Sequence, residues 1–150
     1  MILIIGFLFM VLIFAGLSAI TGMGPGIIDF PSALLVIIPL VFFFLVTKSG
    51  KNIGRYLKSS FRKDHTYTIT ELKAVCAAAD NSVKFIYGIG AFGFLFGIVG
   101  ALMYLENKEA LGPNLAISLI TLLYAIGVSA FMFLPLKFWA ENKLIELKDC

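Results

Sequence analysis

Four runs of this 150-residue chain, 2–20, 27–46, 85–105 and 111–136, are apolar, and apart from Asp29 in the second none carries a charged side chain. The hydrocarbon core of a bilayer is about 30 Å thick and is crossed by roughly 20 helical residues, each rising about 1.5 Å. A lone segment in lipid must satisfy its own backbone hydrogen bonds, which leaves helix as its form. The rest of the composition agrees. Charged residues make up 14% of the chain against about 25% in soluble domains, with 60% hydrophobic residues and a mean hydropathy of +0.99, so no polar coat is available for a water-facing surface. A soluble globule, a disordered chain, a disulfide-stapled secreted domain and a nucleic-acid binder spreading its net +3 over a soluble face are excluded.

The expected fold is an all-α membrane protein, one domain over 1–150, with four transmembrane helices in two hairpins. Gly22, Gly24, Pro25 and Gly26 punctuate the first hairpin turn, and Gly112, Pro113 and Asn114 the second. The start of the chain has no basic residue before its apolar run, so 2–20 reads as a span rather than a cleaved leader. Lys48, Lys51, Arg55, Lys58, Arg62, Lys63 and Lys73 lie between the hairpins, and Lys137, Lys143 and Lys148 follow the last span. The hairpin tips carry only Lys108. The positive-inside bias therefore makes the 48–81 segment and both termini cytoplasmic. Thr68 and Glu71 have capping-box spacing, which predicts a helix through Leu72, Val75 and Cys76 running into the third span. With 137–150 it would form a pair of short cytoplasmic stalks.

No carboxylate or histidine lies inside the spans: Asp29 is read at the outer interface, Lys84 and Glu141 at or beyond the inner one, and His65 in the middle segment. An ion crossing here needs its titrating group from another chain. The polar residues that remain are ordered. Asn114, Ser118, Thr121, Ala125 and then Val128 or Ser129 recur at helical spacing, and Gly90, Gly93, Gly97 and Gly100 make a small-residue face on the preceding span. Close helix packing and lining of a pathway or partner contact are both open readings of these stripes. Lys51, Arg55, Lys58, Arg62 and Lys63 read as solvated positive-inside charges, or as contacts to anionic lipid or a cytoplasmic partner. Cys76 and Cys150 read as reduced and unpaired, His65 lacks a second metal ligand nearby, and Gly88, Gly90 and Gly93 lack the Lys-Ser/Thr of a phosphate loop. Trp139 reads as an interfacial anchor. No catalytic constellation, metal site or cofactor motif is expected, so the chain is not read as an enzyme.

Residues 92–125 resemble the third and fourth helices of the MotA/TolQ/ExbB proton channel family, the MotA branch in particular. The resemblance rests on a Gly-rich third helix, Leu111-Gly112-Pro113 after a short turn, then Ala116, Leu119 to Thr121, Leu123-Tyr124, Ser129, Phe133 and Pro135 without a gap. Near the front, Ile28, Asp29, Pro31 and Ser32 resemble the motif that opens the second helix of that branch. The resemblance implies a multi-pass protein of the bacterial inner membrane. It would be a homopentamer surrounding a dimeric single-span MotB/TolR/ExbD-like protein that supplies an ion-binding Asp. Ion flow would drive rotation, with Asn114, Ser118, Thr121 and Tyr124 lining the ion pathway and Gly90, Gly93, Gly97, Gly100 and Ala125 packing helices and facing the partner. Leu122 stands where the family has a second Thr, and Phe94 where sodium-driven members have one. Hydroxyl dipoles substitute for ion hydration and these side chains cannot, so the resemblance implies a proton before a sodium ion, with a non-conducting scaffold ring as the alternative. The 48–81 segment is short for pushing on a flagellar rotor, which points to work on the cell envelope.

Overall fold

The computed structural model describes residues 2–21, 30–47, 49–60, 67–103 and 108–147, and they are helical almost throughout. The elements are α1 (Ile2–Thr21), α2 (Phe30–Thr47), α3 (Ser49–Ser60), α4 (Ile69–Met103), α5 (Lys108–Val128), a π-helical turn (Ser129–Phe133) and α6 (Leu134–Glu146). Three helical stretches are long and apolar enough to cross a bilayer: Leu3–Ile20, Ile69–Met103 and the continuous Leu111–Glu146. The apolar stretch of α2, Ser32–Thr47, is shorter. The 27–29 part of the span expected there lies outside the described residues, as does Asp29.

α4 has 35 residues and is therefore about 52 Å long, well beyond the roughly 30 Å of a hydrocarbon core. Its first third, from Ile69, continues without interruption into the apolar stretch. Thr68 N donates to Glu71 Oε2 at 3.1 Å and Glu71 N donates to Thr68 Oγ1 at 3.3 Å, closing the capping box and satisfying two amides that the helix start would otherwise leave unpaired. The buried core gathers at this basic end of the bundle: Leu72, Val75, Ala79, Val83 and Ile86 of α4 meet Phe133, Leu136 and Ala140. Further out, Leu12, Phe42, Leu45, Phe92, Phe96 and Met103 are exposed, which is a surface suited to lipid or protein neighbours.

The structure differs from the sequence reading in three places. α4 and α5 pack along their lengths, but α1 and α2 hardly touch; α1 seats on α5, the π-helical turn and α6, whereas α2 lies against α3, α4 and α5. Small residues explain the seat of α1, since a side chain at Gly127 would meet the Phe14 ring at 3.3 Å and Met10 Sδ at 3.5 Å. Second, Leu111, Gly112, Pro113 and Asn114 are helical and not a turn, because α5 begins at Lys108. Pro113 lies inside the helix, in its second turn, where its fixed φ is helical but its missing N–H removes one intrahelical bond and its ring crowds the carbonyl four residues back. Third, 49–60 forms an amphipathic helix, α3, which docks Ile53 and Tyr56 into the core. Trp139 is half-buried, with its ring 4.9 Å from that of Tyr56 and edge-on to that of Tyr67 at 5.3 Å.

Pro135 gives the long second spanning helix its irregularity. With no N–H at 135, the Phe131 carbonyl loses its α-helical donor, and the helix accommodates by a π turn in which Leu134 N–H donates to Ser129 O. α1 comes to this point. A methyl group at Gly6 would collide with the Phe131 carbonyl oxygen, so the α-carbon face of Gly6 lies on that carbonyl.

Candidate functional site

The two small-residue stripes read from the sequence face each other in antiparallel register. A Cβ on Gly90 would strike Ala125 Cβ, one on Gly93 would stand 2.7 Å from Thr121 Cγ2 and 2.9 Å from Leu35 Cδ2, and one on Gly97 would strike Ser118 Cβ. Each glycine thus lets the α5 backbone approach more closely than a side chain would permit. Gly100 has nothing within 4 Å of such a position and takes no part.

The hydroxyls of the stripe are drawn into the same seam. Ser118 is 1% exposed and Thr121 2%, and Ser32, at the start of α2, is buried with them. Thr121 Oγ1 lies 3.0 Å from Ser32 Oγ and 3.0 Å from the Ile117 carbonyl, one turn back on its own helix. Ser118 Oγ donates to the Leu115 carbonyl at 2.7 Å. In low dielectric an unpaired hydroxyl is costly, and of these bonds the one from Thr121 to Ser32 ties α5 to α2. One residue of the stripe is left over: Ser129 Oγ, buried at the π turn, has no hydrogen-bond partner among the described residues.

The other predicted positions scatter. Asn114 is half-buried, and Tyr124 is half-buried with its ring stacked on Phe14 of α1 at 5.6 Å. Leu111 and Pro135 are half-buried, Gly112 and Pro113 are exposed, and Lys51 is exposed on α3. Pro31 belongs to α2, and Arg55 and Lys58 belong to α3. Asp29, Arg62, Lys63, His65 and Cys150 lie outside the described residues.

Sequence reasoning missed a charged cluster at the inner ends of α4 and α6. Asp80 is bridged by Lys137 at 2.6 Å and by Lys84 at 2.6 Å, Glu141 lies 4.0 Å from Lys137, and Cys76 Sγ is 3.6 Å from Glu141 Oε1. The i,i+4 spacing of Asp80 and Lys84 was visible in the sequence, but the meeting with Lys137 depends on how the hairpin closes. The hydrogen bond from Lys137, then that from Lys84, holds the Asp80 carboxyl below its ordinary value of 3.8. Burial, then the charge of Glu141, pushes the Cys76 thiol above its ordinary value.

Because the folded Asp80 binds its proton more weakly than the unfolded one, its stabilising contribution is complete above 3.8 and is lost as pH falls through the lowered value. Melting of the purified protein should therefore show an acid-side loss of stability from about pH 4 downward that is smaller in Asp80→Asn. Equal acid sensitivity in the two proteins would show that the bridge carries no such linkage.

No family model matches the chain, and no solved structure matches it. It is 39% identical over 49 residues to Motility protein A of Treponema phagedenis, a stretch that is 33% of this chain and 19% of that protein. It is also 40% identical over 59 residues to Motility protein A of Borreliella burgdorferi, covering 39% of this chain and 23% of that protein. The matching stretch thus spans about a fifth of the length of these curated relatives. The long apolar helices, the Gly–hydroxyl seam between α4 and α5 and these two matches agree, and over the matched stretches the chain is MotA-like.

Proposed function

We propose that the chain is the ring-forming subunit of an ion-driven, stator-type motor in the bacterial inner membrane. It spans the membrane four times with both termini cytoplasmic and assembles as a homopentamer around a dimeric single-span MotB/TolR/ExbD-like partner. The observation that carries this reading is the pair of matches to Motility protein A. The spanning stretches of α4 and α5 contain no carboxylate or histidine, so the partner supplies the Asp that takes up and releases the ion. A proton is favoured over sodium, since Phe94 and Leu122 offer no oxygen to a dehydrated cation. The ring turns as ions pass, and the work is delivered to the cell envelope.

The placement of Thr121 favours a second reading, a scaffold ring that does not conduct. Its hydroxyl is turned into the subunit and bonded to Ser32, so an ion pathway along Ser118 and Thr121 requires α2 to part from α5.

Proton flux in proteoliposomes holding the chain and its partner separates the two. A motor conducts, loses roughly tenfold or more of its flux in Thr121→Ala, the size of a lost polar pathway group, and keeps it in Thr121→Ser. Wild-type vesicles as tight as empty ones would support the scaffold and remove the motor.

A further inference from the structure

We propose that the groove where α2 meets α3 binds an anionic phospholipid, with an acyl chain against Val41, Phe44 and Leu45 and the headgroup phosphate on Lys51. The groove is lined by these three residues with Gly50 and Lys51. Its walls are apolar and open outward from the subunit: Val41 is 51% and Leu45 75% exposed. A side chain at Gly50 would press on Phe44 Cβ at 3.1 Å, so glycine there keeps the start of α3 close to α2. Lys51 stands at the rim, at the basic end of the bundle, in the first turn of α3.

Charge decides the occupant. Lys84, Lys137 and Lys143 each pair with a carboxylate, whereas Lys51 makes no ion pair with a described residue. Neither α2 nor α3 contains an Asp or Glu, and Arg55 and Lys58 follow Lys51 at i+4 and i+7 on α3. An apolar trough topped by Lys51, on helices that carry no carboxylate, complements a lipid with a negative headgroup. A symmetric contact with a second copy would instead bring two such cationic helices together.

The test is native mass spectrometry of the full chain released from nanodiscs of phosphatidylglycerol and phosphatidylcholine in equal amounts. The wild type is expected to retain phosphatidylglycerol preferentially. Lys51→Glu should lower that retention at least about fivefold, the effect of losing one interfacial cation, while Lys73→Glu on the exposed first turns of α4 leaves it unchanged. Leu45→Trp, which fills the trough without touching the charge, should reduce retention of both lipids. No lipid preference in the wild type, equal loss in Lys51→Glu and Lys73→Glu, or an efficient Leu45→Cys disulfide between copies would each overturn the proposal.

Discussion

Gly6→Ala is expected to destabilise the protein more than any other single methyl group added to α1. The added Cβ would overlap the Phe131 carbonyl oxygen, and that oxygen is main chain, so no rotamer change relieves the clash. Either α1 lifts off the π turn, exposing Leu3 and the inner face it covers, or the turn itself shifts. Overpacking of this kind costs about 1–3 kcal/mol, and a backbone obstacle places it at or above the upper end. Trp139 fluorescence melting in detergent would read the loss. Gly16→Ala supplies the internal control, because nothing lies within 4 Å of a Cβ there, and helix propensity should make it neutral or stabilising by up to about 1 kcal/mol. Equal effects at positions 6 and 16 would mean that α1 does not dock on the π turn.

Gly97→Ala carries the second large expectation, with a built-in rescue. Its methyl group would strike Ser118 Cβ and stand 3.0 Å from Ser118 Cα, forcing α4 and α5 apart at the outer half of the seam. A loss of about 1–3 kcal/mol is expected. Ser118→Gly removes the obstructing atom at a helix-propensity cost of about 1 kcal/mol, so the double variant should be more stable than the sum of the singles by at least about 1 kcal/mol. Gly90→Ala with Ala125→Gly is the matching pair two contacts along. Strict additivity at both pairs would show that these glycines do not face these residues, and the register of the seam would fall with it.

Much of this fold is legible in the chain because lipid leaves few choices. An uncharged run near 20 residues must be helix, and the Thr68–Glu71 spacing marks the start of α4 to the residue. The stripes on α4 and α5 are legible too, since period and residue size identify a close-packed face. Their neighbour is not legible. Ser118 and Thr121 have the spacing of a polar lining, and only tertiary placement shows that they are buried against Gly97, Gly93 and Ser32. The same limit hides the separation of α1 from α2, for a short connection between apolar runs does not dictate which helix each run packs against. α3 was within reach, because Ile53 and Tyr56 stand three apart among Lys51, Arg55 and Lys58. The positive-inside pattern draws attention to the charges in that stretch and away from its apolar face. The π turn follows from Pro135 only once the helix is known to continue through it.

The most direct test of the proposed motor is a cryo-EM reconstruction of the chain purified with a single-span MotB/TolR/ExbD-like protein. Five copies around two partner helices, with the partner Asp at the level of Thr121, is the expected result. Five copies around a pore that admits no partner helix, or a ring of any other number, would contradict it.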